Sequence, residues 1–392
     1  MEAKQVGRPA RVPVPHIMAW EITRSCNLSC AHCRASALHG PYDGELTTED
    51  CFRVVDEIAE VGKPIIVLTG GEPLFRKDIF DIAKYAIDRG FRVAASPNGT
   101  LVTEEVAEKM KRIGIPRISV SVDFPTAELH DKFRGMPGAF EGAMQGIANA
   151  RKAGVEVQIN TTITKLNAPY LDDMLKLAID VGAVAFHPFM LVPTGRGKEL
   201  EAEELPPEEY ERTLNWIYDR QKEVGPRIFF KPTDVPHYWR VMRQRAKEDG
   251  LGAVANPHGG GHPGGGHPGG GHPGGGHPGG QTDGMNAMTR GCLAGIGFFF
   301  ISHVGRVQGC GYLDVAAGDL KKQSFSDIWY NSPLFNELRD FAKLRGKCGE
   351  CEYRNICGGC RARAYEATGD YLAEEPYCVY QPRKRAAVTE PK

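Results

Sequence analysis

Three cysteines stand close together near the start of the chain, with the spacing Cys26-x3-Cys30-x2-Cys33. Thiolates spaced in this way bind zinc or iron–sulfur clusters. A structural zinc ion takes four ligands, and the only nearby candidate, His32, lies beside Cys33, where tetrahedral coordination would be strained. A 4Fe-4S cluster held by three thiolates leaves one iron free to bind a substrate or cofactor. We therefore predict these cysteines as the ligands of such a cluster and as the catalytic centre.

Seven more cysteines lie towards the other end of the chain. The eleven cysteines in total are an odd number, and no export signal is apparent, so a disulfide framework is a poor explanation. Seven thiolates also do not divide into two four-ligand zinc sites. Cys51 stands alone in a predicted amphipathic helix and is interpreted as a buried small apolar residue. The predicted metal ligands of this second group are Cys292, Cys310, Cys348, Cys351, Cys357, Cys360 and Cys378.

From Ala19 to about Lys231, the sequence alternates short apolar runs with segments of helical period. These elements must position the first cysteines. This alternation is typical of βα units around a parallel sheet. About six units are fewer than the eight of a closed barrel, so we predict an α/β fold with an open, partial (β/α)6 barrel. Its site should lie at the carboxyl ends of the strands. The predicted strands are 18–22, 65–68, 92–95, 117–122, 156–161, 183–188 and 228–230, and the predicted helices are 48–61, 103–113, 139–153, 169–181 and 207–223.

Glycines and polar residues follow the next three predicted strands at the same edge of the sheet. Glycine lets the backbone approach a ligand closely, and a carboxylate can accept hydrogen bonds from an amine. Taken alone, the glycines could form a tight turn and the polar residues could cap strand ends. The candidates are Gly70, Gly71 and Glu72 after the second strand, Asn98 after the third, Ser121 and Asp123 at the end of the fourth, and Arg134 beyond it.

Composition predicts three parts, residues 1–250, 251–285 and 286–392. The middle part holds four Gly-Gly-Gly-His-Pro units, which cannot form a core and predict a disordered surface loop. Its imidazoles could bind a transition metal or haem weakly, although a tolerated insertion is the favoured interpretation. The last part is rich in cysteine and glycine, and we expect metal clusters to stabilise it. It also predicts a hairpin over 298–308 and a helix near 335–341.

Charge and hydropathy limit the classes of partner. Lys plus Arg (48) against Asp plus Glu (49) gives a net charge of −1, so no global field would steer the protein to nucleic acid or an anionic membrane. The apolar runs are far shorter than the ~20 residues of a membrane span, and the start of the chain lacks a signal peptide's apolar stretch. We expect a cytoplasmic protein without a membrane span and without nucleic-acid binding.

The order of the first motifs resembles the radical SAM superfamily, which pairs a three-cysteine loop after the first strand with a Gly-Gly-Glu motif after the second. The resemblance implies that the cluster of the first cysteines binds S-adenosyl-L-methionine (SAM) and cleaves it reductively to a 5′-deoxyadenosyl radical. It implies that Glu72 accepts from the methionyl amine of SAM. Ser121, Asp123 and Arg134 are similar to positions that contact the SAM ribose and carboxylate, and Asn98 is a weaker match.

The C-terminal cysteines resemble the SPASM extension of radical SAM enzymes. Cys292, Gly305 and Cys310 match its first part, but the last two cysteines of the central run are separated by two residues where three are usual. The resemblance implies two auxiliary 4Fe-4S clusters, one held by Cys348, Cys351, Cys357 and Cys378 and the other by Cys292, Cys310 and Cys360. The second would have an open iron or a ligand other than cysteine, such as His303 or Asp314.

Nearly the whole chain resembles the haem b synthase family of the siroheme-dependent pathway. Stretches that carry this resemblance begin at Ala19, His187, Phe230, Gly309 and Arg361. It implies oxidative decarboxylation of two propionates of Fe-coproporphyrin III to vinyl groups, with an electron donor such as ferredoxin or flavodoxin. The substrate's carboxylates need cationic groups and its iron an axial ligand. The candidates on strand-end loops are His187, Arg196, Lys231 and His237.

Three other functions stay open on the sequence. One is the deacetylation of 12,18-didecarboxysiroheme, and another is peptide modification by a SPASM maturase. The N-terminal ~15 residues are too short for the peptide-recognition domain that such maturases often carry. A haem or metal carrier is the alternative from a different class. Deleting 257–280 would separate them, because a carrier would lose binding and an enzyme would retain turnover.

Overall fold

A computed structural model describes residues 12–250 and 290–383. Within these ranges ten strands form one sheet in the order β10-β9-β8-β1-β2-β3-β4-β5-β6-β7. Neighbouring strands from β1 to β7 are parallel, and β7 is a sheet edge, so the barrel is open as predicted. The strands are β1 (Ile17–Glu21), β2 (Ile65–Thr69), β3 (Val93–Ala95), β4 (Arg117–Ser121), β5 (Glu156–Ile163), β6 (Ala185–Met190), β7 (Phe229–Phe230), β8 (Phe298–Ile301), β9 (Arg306–Gln308) and β10 (Ala316–Asp319).

Helices cover the outer face of the sheet. The first begins at the predicted residue because Thr47 accepts from the backbone of Asp50 while the Asp50 side chain accepts from the Thr47 backbone, a reciprocal cap that satisfies two free amides. The helices are α1 (Thr48–Val61), α2 (Ile79–Asp88), α3 (Glu104–Ile113), α4 (Ala127–Arg134), α5 (Ala139–Lys152), α6 (Leu171–Asp180), α7 (Pro207–Val224), α8 (Tyr238–Glu248), α9 (Phe325–Asn331), α10 (Pro333–Arg339), α11 (Gly346–Glu350) and α12 (Arg361–Thr368).

Six of these helices, α2, α4, α8, α9, α11 and α12, are absent from the sequence prediction. For α2 the apolar period was present, since Ile79, Ile82, Ala83 and Ala86 are all buried. In contrast, α4 and α12 have only eight residues each, too few for a helical period to be distinctive. The predicted C-terminal helix lies two residues earlier, at Pro333–Arg339.

The C-terminal part continues the barrel's own sheet. Strand β8 pairs in parallel with β1, in a register that joins Ile17 to Phe298 and Trp20 to Ile301. The predicted hairpin is formed by β8 and β9. Trp329 packs on Phe299, and its Nε1 donates to the carbonyl of Pro13 at 2.9 Å. The two cysteine-bearing parts therefore share one sheet and one core. The Gly-Gly-Gly-His-Pro units lie outside the described residues.

Alternation along the strands gives the sheet an apolar outer face and a more polar inner face. On β5, Val157, Ile159 and Thr161 are fully buried, while Asn160 and Thr162 on the opposite face are partly exposed. The inner face and the carboxyl ends of the strands thus form the region available to a substrate. No helix in the described ranges is long and apolar enough to cross a membrane.

Candidate active site

The loop that carries the first three cysteines follows β1 directly and is held from several sides. Cys26 and Cys30 are buried, and the Cys26 amide donates to the Leu38 carbonyl at 2.8 Å. Arg196 fixes the far side of the loop, because its Nε donates to the Cys30 carbonyl at 2.9 Å and its backbone amide to the Cys33 carbonyl at 3.1 Å. The structure therefore gives Arg196 a role in supporting the loop.

The three thiols lie together in one small buried cluster. Burial raises the pKa of the Cys26 thiol to about 12, and Glu72, Cys30 and Cys33 add to the increase. The pKa of Cys30 is also raised, first by burial, although Arg134 opposes this effect. A buried thiolate needs adjacent positive charge, which iron supplies. The donor set of three soft sulfur atoms fits the predicted iron–sulfur cluster.

Gly70 and Gly71 bring the loop after β2 against the cysteine loop. The Gly71 amide donates to the Thr23 carbonyl at 2.9 Å, and the Glu72 amide donates to the Ser25 carbonyl at 2.8 Å. A Cβ atom at Gly70 would lie 2.3 Å from the Thr23 oxygen, and one at Gly71 would lie 2.4 Å from the Arg24 oxygen. Glycine is required here for contact between two protein backbones.

The Glu72 carboxylate is completely buried and connects neighbouring loops. Its Oε1 accepts from the Leu74 amide at 3.0 Å and its Oε2 from the Asn98 amide at 2.7 Å. Burial raises the pKa of Glu72 to about 7, and the two amides moderate this effect. Asn98 in turn donates to the Asn27 side chain, inside the cysteine loop, at 2.8 Å. Glu72 and Asn98 thus lie beside the first cysteines, as their order predicted.

Asp123 and Arg134 form a buried ion pair next to Cys30. Arg134 lies 2.5 Å from Asp123 Oδ2 and directs a second nitrogen at the Cys30 sulfur, 3.7 Å away. Asp123 Oδ1 accepts from the Thr162 amide at 2.8 Å. Burial alone would raise the pKa of Asp123, but Arg134 holds it below its usual value. Ser121 lies at the end of β4, two residues before Asp123. The predicted SAM contacts of these three residues stay a prediction.

Of the four substrate candidates, the structure brings only His187 and Lys231 together on the inner face. His187, on β6, exchanges a 2.9 Å hydrogen bond with Gln158, and its Nε2 is buried without a partner. Lys231 follows β7, and its amide donates to the Phe186 carbonyl at 3.2 Å. Burial lowers the pKa of His187 well below its ordinary value, and Lys231 lowers it further. Burial likewise lowers the pKa of Lys231.

His237 lies elsewhere, in the wall of a cavity lined by four C-terminal cysteines. The cavity has a volume of about 30 Å³, and Arg240 and Lys347 also line it. Both ring nitrogens of His237 are buried without hydrogen-bond partners. The cysteines are the four assigned to one auxiliary cluster, Cys348, Cys351, Cys357 and Cys378.

The other three cysteines form a second group nearby. Burial raises the pKa of Cys310 well above its ordinary value, and Asp234, Cys360 and Cys292 raise it further. The amide of Cys292 donates to the carbonyl of Cys357 at 3.0 Å, which links the two groups. Among the described residues, no three His, Cys, Asp or Glu side chains are arranged to hold a single metal ion. In an iron–sulfur cluster each thiolate binds its own iron, so the cysteines surround the cluster.

Sequence reasoning missed the residues that join α12 to the barrel. Arg363 is fully buried, and its Nε donates to Glu204 Oε1 at 3.1 Å. It also lies 3.6 Å from Glu375 and donates to the backbone carbonyls of Asp234 and Leu191, both at 3.0 Å. Arg363 lies inside a stretch that carries the family resemblance, but the sequence does not reveal its distant partners.

An open βα barrel with a three-cysteine loop after its first strand, joined to a cysteine-rich extension, defines a radical SAM enzyme with auxiliary iron–sulfur centres. Comparison with known families agrees. Residues 20–178 match the Radical SAM superfamily, and residues 292–361 match an iron–sulfur cluster-binding domain, SPASM. These two domains imply 4Fe-4S clusters and SAM as cofactors.

Curated relatives extend the likeness over almost the whole chain. The AdoMet-dependent heme synthase of Oleidesulfovibrio alaskensis is 48% identical over 96% of this chain and 90% of its own. The protein of the same name from Methanosarcina barkeri is also 48% identical, over 96% of this chain and 99% of its own. The chain therefore belongs to the AdoMet-dependent heme synthase family of radical SAM enzymes.

More distant matches define the fold and the wider family. The Fe-coproporphyrin III synthase of Methanosarcina barkeri is 30% identical over 92% of this chain and 87% of its own. Among solved structures, Streptococcus suis SuiB bound to S-adenosylmethionine matches with a TM-score of 0.69. That match covers 94% of this chain and 78% of SuiB at 14% identity, so it supports the fold alone.

Proposed function

We propose that this enzyme converts Fe-coproporphyrin III into haem b by oxidative decarboxylation of two propionate side chains to vinyl groups. The main support is the 48% identity to two AdoMet-dependent heme synthases over 96% of this chain. The Fe-coproporphyrin III synthase, at 30%, is a more distant relative. This difference favours a reaction that forms haem over one that forms Fe-coproporphyrin III.

The proposed reaction balances with one electron left over per side chain. The propionate loses a hydrogen atom from the carbon next to the ring, which leaves a carbon radical delocalised into the macrocycle. The bond to the carboxylate then breaks, CO₂ leaves, and a vinyl group forms. One electron must leave with each CO₂, so the reaction needs an electron acceptor as well as a hydrogen-atom acceptor.

The cysteine groups match these two needs. A cluster at Cys26, Cys30 and Cys33 with SAM would supply the radical that takes the hydrogen atom, and the auxiliary clusters would supply an iron–sulfur electron acceptor. The chain's own residues position this centre. Arg196 holds the cysteine loop, and Glu72 ties it to the loops after β2 and β3.

On the inner face, His187 and Lys231 would bind a substrate carboxylate. The Gln158 Nε2 that bonds to His187 Nδ1 also donates to Asn160 Oδ1 at 2.8 Å. With the amide in this orientation, Nδ1 accepts and Nε2 carries the proton, so the free nitrogen is a donor. A donor suits a propionate and not the substrate iron. A Lys231 ammonium nearby would add charge to the same contact.

Reductive SAM cleavage also needs an electron source. We propose a small reduced carrier, ferredoxin or flavodoxin, in the cytoplasm, where thiols remain reduced and available to iron. Each turnover would return one electron from the substrate, so a full cycle would need only a catalytic supply of reductant.

The test is the product formed by the anaerobically reconstituted full chain with reductant and SAM. We expect Fe-coproporphyrin III to give first a monovinyl intermediate and then haem b, with one 5′-deoxyadenosine per vinyl group, all resolved by chromatography. Matched incubations with 12,18-didecarboxysiroheme serve as the control, and this compound should remain unchanged. Conversion of 12,18-didecarboxysiroheme, with Fe-coproporphyrin III unchanged, would overturn the proposal.

A further inference from the structure

The second auxiliary group has one cysteine too few for complete ligation by thiolates. A 4Fe-4S cluster has four irons, and this group offers Cys292, Cys310 and Cys360. The two other candidates from the sequence have other partners. His303 Nδ1 bonds to Glu21 Oε1 at 2.5 Å, and Asp314 is 74% exposed and accepts from Gln308 at 2.9 Å.

Asp234 is a better candidate because its backbone is fixed beside this group. It follows β7 with φ +60°, one of two residues other than glycine with positive φ in the described ranges. This left-handed conformation is uncommon but more accessible to Asp than to most residues. The carbonyl of Asp234 accepts from Arg363 at 3.0 Å, and the Arg363 backbone amide contacts the Cys360 sulfur at 3.5 Å. Asp234 and Cys360 thus both contact Arg363, in the first turn of α12.

One oxygen of the Asp234 carboxylate is left without a hydrogen-bond partner. Its Oδ2 is buried without a hydrogen bond, and no basic nitrogen in the described ranges lies within ionic contact of it. Arg363 uses its nitrogens on backbone carbonyls and on Glu204 and Glu375. A buried carboxylate without a partner either takes up a proton or meets a cation, and a bound iron would supply that cation.

The contacts of Arg363 place Asp234 near Cys360, and the electrostatics of the cysteines agree with this placement. After burial, Asp234 is the strongest influence that raises the pKa of Cys310. It also contributes, after burial and other neighbours, to the pKa of Cys360 of about 12. Three cysteine thiols and one carboxylate offer sulfur and oxygen atoms that can bind iron as anions, which is the chemistry of a metal-cluster site.

We propose that Asp234 is the fourth protein ligand of the auxiliary cluster held by Cys292, Cys310 and Cys360. This inference rests on the assignment of those three cysteines to one cluster. The ligand comes from the barrel, whereas the three cysteines come from the extension, so the cluster would join the two parts. It would also have no iron open to the substrate, and electrons would reach it without a direct bond.

The test detects an open iron by its binding of a small exogenous ligand. The parent is the full chain with Cys26→Ala, Cys30→Ala and Cys33→Ala, which removes the iron of the first cluster. The reduced protein is treated with ¹³C-cyanide, and hyperfine coupling to ¹³C is measured by electron–nuclear double resonance. We expect no coupling in the parent or with a further Asp314→Ala exchange, and clear coupling with Asp234→Ala.

Two further results keep the test decisive. Asp234→Cys should restore four protein ligands, retain the parent's iron content and show no coupling, even if Asp234→Ala fails to fold. Coupling in the parent itself, or a spectrum of Asp234→Ala identical to that of the parent, would overturn the proposal. Porphyrin is absent from these measurements, so a failure of the proposed haem synthesis would leave their outcome unchanged.

Discussion

Replacement of Cys30 by alanine is expected to abolish SAM cleavage and to remove about four of roughly twelve irons from the reconstituted protein. Cys30 lies in the tight loop after β1, with Arg134 directed at its sulfur and Arg196 bonded to its carbonyl. Two remaining thiolates cannot hold the cluster, and without it no electron reaches SAM. Iron analysis and chromatography of 5′-deoxyadenosine measure both effects.

Cys51→Ala is the matched control for this exchange. Cys51 is fully buried in α1 and packs in the main core, and no other cysteine is among the groups that shift its pKa. Its loss should cost about 1 kcal/mol of stability and leave the iron content and SAM cleavage near those of the parent. Retention of full SAM cleavage by Cys30→Ala would contradict the assignment of the first cluster.

Arg363→Met is expected to destabilise the protein by about 3–5 kcal/mol, because it leaves buried acidic groups without their cation. Arg363 meets Glu204 at 3.1 Å and Glu375 at 3.6 Å and also holds three backbone carbonyls. Burial already raises the pKa of Glu204, which Arg363 opposes. Loss of Arg363 should raise the pKa of Glu204 further. The midpoint of anaerobic urea unfolding measures the change.

Two variants test whether this loss comes from the buried network. Arg212→Met removes a surface pair in which the arginine is 70% exposed, and it should cost less than about 1 kcal/mol. Adding Glu204→Gln to Arg363→Met removes one of the buried carboxylates that lost its cation, so part of the stability should be recovered. Equal destabilisation by Arg363→Met and Arg212→Met would show that the network does not join α12 to the barrel.

Local spacing was enough to predict the first centre and the order of the elements around it. The cysteine loop follows β1, and the glycine motif and Asn98 follow β2 and β3, as expected. This worked because each βα unit is short and self-contained, so residues at strand ends are brought to one edge by the repeat itself. The role of Gly70 and Gly71 was harder to predict, because a sequence does not show which backbone a glycine approaches.

Contacts between distant segments could not be predicted from the sequence. The pairing of β1 with β8 joins residues about 280 positions apart, and apolar alternation gives no information on such partners. His237 and Arg196 look alike in sequence as polar residues at strand ends, yet one lies against the auxiliary cysteines and the other against the first cysteine loop. Asp234 lies within a stretch that carried the family resemblance, but only its burial and neighbours suggest a ligand.

The most direct test of the account follows one atom from the substrate. Fe-coproporphyrin III carrying deuterium on the propionate carbons next to the ring is incubated anaerobically with the reconstituted enzyme, reductant and SAM. The 5′-deoxyadenosine is then analysed by mass spectrometry. We predict that each 5′-deoxyadenosine carries one deuterium and that one such molecule forms for each vinyl group. Unlabelled 5′-deoxyadenosine accompanied by vinyl formation, or labelled porphyrin recovered unchanged from enzyme that cleaves SAM, would contradict the account.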